Sequence, residues 1–163
     1  MKRIRLLLWT CVAALLFAPV SLAYDAELAK SFAALFEPVQ GQKAGAALHL
    51  MKPEKLMALL RAGKPVVALD VRTPAEAGIV GMTLPGTLAI PLSELFMPGN
   101  LQRIPTDRMV VVVCKTGTFA TAATTALRVI GFDNVYVLYG GIDALAKYMN
   151  PITANAPSPP ATP

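Results

Sequence analysis

The stretch that decides the fold is Met109-Val110-Val111-Val112-Val113-Cys114-Lys115-Thr116-Gly117-Thr118-Phe119-Ala120. Its first half is the most strongly β-forming run in the chain, with four consecutive valines and no polar face. Such a strand has to be covered on both sides. The second half changes character at once. A cysteine leads through a glycine-containing turn into a helix expected over Phe119–Ile130, with Ala123, Leu127 and Ile130 on one stripe and Gly131 as its stop.

Outward from this run the elements alternate. Val66–Val71 is a second apolar strand, interrupted only by Asp70. Thr73-Pro74-Ala75-Glu76 is a capping box with proline at the first helical position, so a short helix starts there. Pro53 suits the start and Gly63 the stop of an earlier helix. Leu48–Met51 and Thr87–Ile90 read as brief strands, Val135–Leu138 as another, and Ile142–Met149 as a last helix closed by Pro151. From Tyr24 to Phe36, Leu28, Phe32, Leu35 and Phe36 recur at helical spacing. The organisation expected is an export signal over 1–23, a helix and linker over 24–47, one domain over 48–150, and a proline-rich disordered tail over 151–163. Apolar strands alternating with helices point to an α/β fold, an open parallel sheet with helices on both faces. In such sheets ligands bind beyond the carboxyl ends of the strands. The chemistry is therefore expected just after Val71, Val113 and Leu138.

Length and composition agree with one domain: 163 residues, 55% apolar, too hydrophobic for a disordered chain. The formal charge of +5 is misleading as a sign of nucleic acid. Lys2, Arg3 and Arg5 precede the apolar run Leu6–Val20 and the small residues of Ser21-Leu22-Ala23, the three-part pattern of a secretory signal peptide. Without those three cations, twelve Lys and Arg face ten Asp and Glu, a balance of +2 that gives no basic footprint for nucleic acid. The signal implies a periplasmic protein with no stable membrane insertion after cleavage; oligomeric state is left open. It would also remove Cys11, leaving Cys114 alone in an oxidising compartment, without a partner for an internal disulfide. Such a cysteine is either buried and inert or present for its reactivity.

The surroundings of Cys114 favour reactivity. It lies where a strand turns through a short loop into a helix N-terminus. Backbone N–H groups in such a turn form an anion-binding nest, the helix end adds positive potential, and Lys115 adds a cation. All three favour thiolate over thiol. The sole histidine, His49, lies on an early strand and reads as a satisfied structural residue, so this is not a Cys–His arrangement. The nucleophile would be activated by field and hydrogen bonds alone.

Taken in order, Asp70-Val71-Arg72, Thr73-Pro74-Ala75-Glu76, Leu84-Pro85-Gly86-Thr87, the Cys114 loop, and Gly140-Gly141-Ile142 after Val135–Leu138 resemble the single-domain rhodanese-like sulfurtransferases, across about residues 48–150. The resemblance implies a rhodanese-like fold and a sulfurtransferase in which Cys114 is catalytic. The cysteine would take sulfane sulfur from a donor as a persulfide and pass it to a thiophilic acceptor. The resemblance further implies that Lys115, Thr116, Gly117, Thr118, Phe119, Ala120 and Arg72 bind substrate, and that Asp70, Glu76, Gly140 and Gly141 shape the site. The implied partners are a small sulfur compound and a thiol or protein acceptor, with no metal or organic cofactor required. The alternative is a non-catalytic module that binds a partner or senses oxidants through the same thiol.

Two departures from the family bear on substrate. Many members read Cys-x-x-Gly-x-Arg, where this chain has Phe119, and many read Gly-His-Ile-Pro, where it has Gly81-Met82-Thr83-Leu84-Pro85. Both make the pocket more apolar and point to thiosulfate as a poor donor. Related phosphatases need an arginine after five intervening residues to grip phosphoryl oxygens; here that place is Ala120. Asp70 and Arg72 also admit a purely structural reading, with Asp70 accepting loop N–H bonds and Arg72 paired to Glu76 or another carboxylate.

Overall fold

The computed structural model describes residues 23–155. Residues 1–22 of the signal expected over 1–23, and residues 156–163 of the tail expected over 151–163, lie outside the described residues. The chain divides into two compact units at Ser31 and Phe32. Helix α1 (Ala26–Phe36) crosses that boundary. At its start Asp25 Oδ1 accepts from the Leu28 N–H at 2.9 Å, capping the first turn. Further along, Phe32 and Phe36 stack with centroids 6.2 Å apart.

The second unit holds a five-stranded, wholly parallel sheet in the order β1-β5-β4-β2-β3. The strands are β1 (Leu50–Met51), β2 (Val66–Asp70), β3 (Leu88–Ala89), β4 (Met109–Val113) and β5 (Val135–Leu138). β4 lies at the centre, paired with β2 through Val66↔Met109 to Asp70↔Val113 and with β5 through Val110↔Val135. Val110 to Val113 are accordingly fully buried, as four consecutive valines require. Helix α7 (Thr118–Val129) covers one face, where Ala120, Ala123 and Leu127 join Leu69, Val110, Val112 and Val137. Helices α3 (Pro53–Arg61) and α8 (Gly141–Tyr148) cover the other, where Leu56 and Leu145 meet Val111, Val113 and Leu138. Each fully buried Val or Leu contributes roughly 1.5–3 kcal/mol, so the two layers drive the sheet to its place. The α/β architecture read from the sequence is the one observed.

Several boundaries differ from expectation. The strand expected over Leu48–Met51 begins only at Leu50, because His49 is in the left-handed region (φ 56°), where a strand cannot continue. Within the expected linker, Gly41–Lys43 forms a 3₁₀ turn and α2 spans Ala44–Ala47. Two short helices, α5 (Leu92–Leu95) and α6 (Pro98–Leu101), fill the connection from β3 to β4, where no element was expected. The tail is helical in its first turn, α9 (Pro151–Ala154). Asn150 Oδ1 accepts from the Ile152 and Thr153 N–H groups at 3.0 and 3.1 Å, Pro151 occupies the first helical position, and the Arg61 guanidinium donates to the Thr153 carbonyl. No helix among the described residues is long and apolar enough to cross a membrane.

Candidate active site

Cys114 follows the last residue of β4, at the carboxyl edge of the sheet between the ends of β2 and β5. Its Sγ accepts two backbone N–H hydrogen bonds, from Gly117 at 3.1 Å and Ala120 at 3.4 Å. The local chain geometry turns these amides inward. Gly117 has φ 93°, which glycine alone adopts freely, and it serves as the N-cap of α7 (Thr118–Val129). The carbonyls are drawn outward at the same time. Cys114 O accepts from Ile142 N at 2.9 Å, Lys115 O from Asp143 N at 3.1 Å, and Gly117 O from Thr121 N at 2.9 Å and Thr121 Oγ1 at 2.8 Å. With three carbonyls held away, the loop presents N–H groups to its concave side, the nest anticipated from the sequence. The N–H groups of Thr116, Thr118 and Phe119 have no hydrogen-bond partner among the described residues. They remain available to a ligand anion.

Gly140 and Gly141 make this stitching possible. Both have positive φ, 76° and 62°. A Cβ on Gly141 would sit well inside 3.0 Å of the Cys114 and Lys115 carbonyl oxygens, so only a bare Cα lets α8 dock its first N–H groups on the loop. A Cβ on Gly117 would lie 3.1 Å from Gly140 N. That Ile142 and Asp143 donate to the loop was not legible from residue types, because backbone groups carry that role.

Arg72 makes its side-chain bonds within the protein through Nε and Nη2: a bidentate pair with Asp70 (Nε–Oδ1 2.9 Å, Nη2–Oδ2 2.6 Å) and a bond to the Val80 carbonyl (Nη2–O 2.5 Å). The side chains of the pair are only 7% and 3% exposed. Asp70 Oδ1 also accepts the Arg72 N–H at 3.1 Å. A buried carboxylate needs such a partner, and the positions i and i+2 past a strand end put both side chains on one side. Arg72 thus braces the 71–80 segment through the Val80 carbonyl. Its pKa is raised, first by the hydrogen bond with Asp70, then by the charges of Asp70, Glu76 and Cys114 against the cost of burial. Glu76 is engaged in the expected capping box at the start of α4 (Pro74–Ile79): Thr73 Oγ1 accepts from Glu76 N at 3.3 Å, and Glu76 Oε2 accepts from Thr73 N at 3.3 Å.

Cys114 stands at the start of the loop, between strand and helix, and is only 2% exposed. Ala120 is fully buried beside it, Lys115, Thr116 and Thr118 are exposed, and Phe119 is 62% exposed on the first turn of α7. Sequence reasoning missed Tyr139, which lines a small cleft with Thr116, Gly117, Thr118 and Gly140. Its position directly before the glycine pair was the available signal. His49 is held through Nδ1–H to the Val135 carbonyl at 2.8 Å, in keeping with its structural reading. Turn Leu84-Pro85-Gly86-Thr87 closes with Thr87 N donating to Leu84 O at 3.1 Å, Gly86 taking the positive φ of 74° that a type II turn requires.

Residues 52–148 match the family described as Rhodanese-like domain. The chain is 37% identical over 99 residues to the probable adenylyltransferase/sulfurtransferase MoeZ of Mycobacterium tuberculosis, 61% of this chain and 25% of that protein. It is 36% identical over 101 residues to a sulfurtransferase of Allochromatium vinosum, 62% of this chain and 91% of that one. Among solved structures it is similar to a rhodanese-related protein from Thermoplasma volcanium, with a TM-score of 0.53 and 25% identity over 63% of this chain and 95% of the other. The chain thus spans about a quarter of MoeZ but nearly the whole of the A. vinosum protein.

Proposed function

The chain belongs to the rhodanese-like domain family, and from that premise we propose that it is a sulfurtransferase whose Cys114 carries the transferred sulfur as a persulfide. Family and relatives support sulfur transfer in general. The observation that carries the finer reading is the pair of N–H bonds on Cys114 Sγ. In the first half-reaction the thiolate attacks the outer sulfur of a donor. An S–S bond forms to Cys114, and the donor's S–S bond breaks, its electron pair leaving with the donor remnant (sulfite, if the donor is thiosulfate). In the second, an acceptor thiolate or cyanide attacks the outer sulfur and the electron pair returns to Cys114. Negative charge moves between the cysteine sulfur and the sulfur above it. Fixed N–H groups, two already on Sγ and three unengaged, stabilise either position without reorganisation.

The donor we favour is a persulfide or an organic thiosulfonate rather than thiosulfate. Phe119 stands where a cation would meet a second anionic charge, and it leaves an apolar group at the rim. A second reading, a non-catalytic module that binds a partner or registers oxidants, draws on the 2% exposure of Cys114. One experiment separates the two. The purified protein is incubated with each of several sulfane-sulfur donors and weighed by mass spectrometry. Gain of one sulfur atom that cyanide removes, absent in Cys114→Ser, is the enzyme's result; no gain from any donor is the module's. The N-terminal sequence supports a periplasmic setting, tested by fractionating cells that express the full chain.

A further inference from the structure

A groove of about 880 Å³, with none of the Cys114–Ala120 loop in its lining, lies along the edge strand β1 and its neighbour β5. Its size is that of a small-molecule site. Three features set it apart from an ordinary surface dent. First, it contains the one non-glycine residue with positive φ among the described residues, His49 at 56°. A residue with a Cβ seldom adopts this conformation, and backbone strain of this kind collects at ligand clamps and active sites. Second, the ring is held. Nδ1–H is fixed to the Val135 carbonyl at 2.8 Å, and the ring lies 4.5 Å from Tyr136, interplanar angle 13°. The result is a fixed pair of stacked rings in the groove, with Tyr139 a further aromatic along it. Third, Lys52 and Lys55 line the same groove, and neither is ion-paired to an acidic side chain among the described residues. The groove lining includes no carboxylate; Glu54 lines an adjoining cleft.

We propose that this groove is a second ligand site, distinct from the Cys114 loop, for a small organic anion with a planar aromatic body. Its flat body meets the aromatic and apolar wall formed by His49, Tyr136, Tyr139 and Met109, and its anionic group pairs with Lys52 and Lys55. Nothing in this groove takes part in the sulfur chemistry proposed for Cys114.

The probe is 2-naphthalenesulfonate, titrated calorimetrically into the full protein at low salt, with 2-naphthylmethanol as the uncharged counterpart. One saturable site is expected, weakened by added salt and much weaker for the alcohol. The paired substitution Lys52→Gln and Lys55→Gln should weaken sulfonate binding about tenfold, each lysine counting as a partly solvated ion pair. His49→Gly should weaken it about fivefold through loss of the ring, while folding normally, since glycine accepts the left-handed backbone without strain. Absence of saturation by about 1 mM, a range where binding is worth only about 4 kcal/mol, overturns the proposal. So does equal binding of the alcohol, or sulfonate binding indifferent to the lysine pair.

Discussion

Substituting Gly141 by alanine isolates the packing on which the cysteine loop depends. Gly141 has φ 62°, and its missing Cβ would lie well inside 3.0 Å of the Cys114 and Lys115 carbonyl oxygens. The left-handed backbone alone costs alanine roughly 1–2 kcal/mol. The overlap is with backbone, so no side-chain rotation relieves it; the loop and the start of α8 must separate. That breaks Ile142 N–H to Cys114 O and Asp143 N–H to Lys115 O, a further loss of about 0.5–1.5 kcal/mol for each bond. The sum is about 2–5 kcal/mol, a sizeable share of the roughly 5–15 kcal/mol by which a domain is stable. Catalysis should fall further than stability. A displaced loop takes the Gly117 and Ala120 N–H groups off Sγ, and a hydrogen bond to a charged group is worth about 1.5–3 kcal/mol, or about 10- to 100-fold in rate. The comparison is Gly63→Ala, which shares the backbone strain (φ 66°) but meets nothing within 4 Å. Urea unfolding and the rate of sulfur loading on Cys114 are measured for both. Gly63→Ala should lose about 1–2 kcal/mol and load sulfur normally; Gly141→Ala should lose more and load at least about 100-fold more slowly. Equal unfolding midpoints, with normal loading in Gly141→Ala, refute the claim that this glycine holds the loop.

Further outcomes follow from the same geometry. Arg72→Leu leaves Asp70 buried without its partner and should cost about 3–5 kcal/mol in denaturant unfolding; an Arg72→Lys variant that kept full stability and only raised KM would contradict this bracing role and assign Arg72 to substrate. Because its pKa is raised by Asp70, Arg72 contributes stability that is present below the ordinary guanidinium range and lost only as pH rises through the raised value, so this arginine should add no titration to an unfolding profile taken across neutrality. Phe119→Arg should improve thiosulfate turnover by about 10-fold, the low end for a charged hydrogen bond, because a side chain at a position 62% exposed is screened by water; an unchanged kcat/KM removes the explanation of donor choice. With Cys114 only 2% exposed, a bulky aromatic disulfide reagent should react in step with urea unfolding, while small sulfane donors load the folded protein. Immediate reaction of the native protein with the bulky reagent contradicts that burial.

Much of the molecule is legible in one dimension because its signals are local. Four valines without a polar face announce a central strand. Thr73 and Glu76, three residues apart, announce a cap that the hydrogen bonds bear out. A cysteine between such a strand and a helix start already implies main-chain donors around sulfur, and two of them are there. The short elements were less legible. α5 and α6 carry four residues each, too few to show a period. The tail turn α9 depends on Asn150 and on a contact from Arg61, far away in the chain.

Residue order alone established the alternation of strand and helix, and with it the sheet edge where chemistry belongs, since periodicity and capping act over a few residues. Only the folded chain decided what each polar group there is for. Asp70 and Arg72 are two positions apart, yet whether the guanidinium faces a substrate or its neighbour depends on burial, which the surrounding layers impose. The depth of the thiol, the docking of Ile142 and Asp143 on its loop, and the stacking of the His49 ring on Tyr136 all arise between segments distant in sequence. Contacts of that kind exist only once the sheet has brought the strand ends together, so no local pattern encodes them.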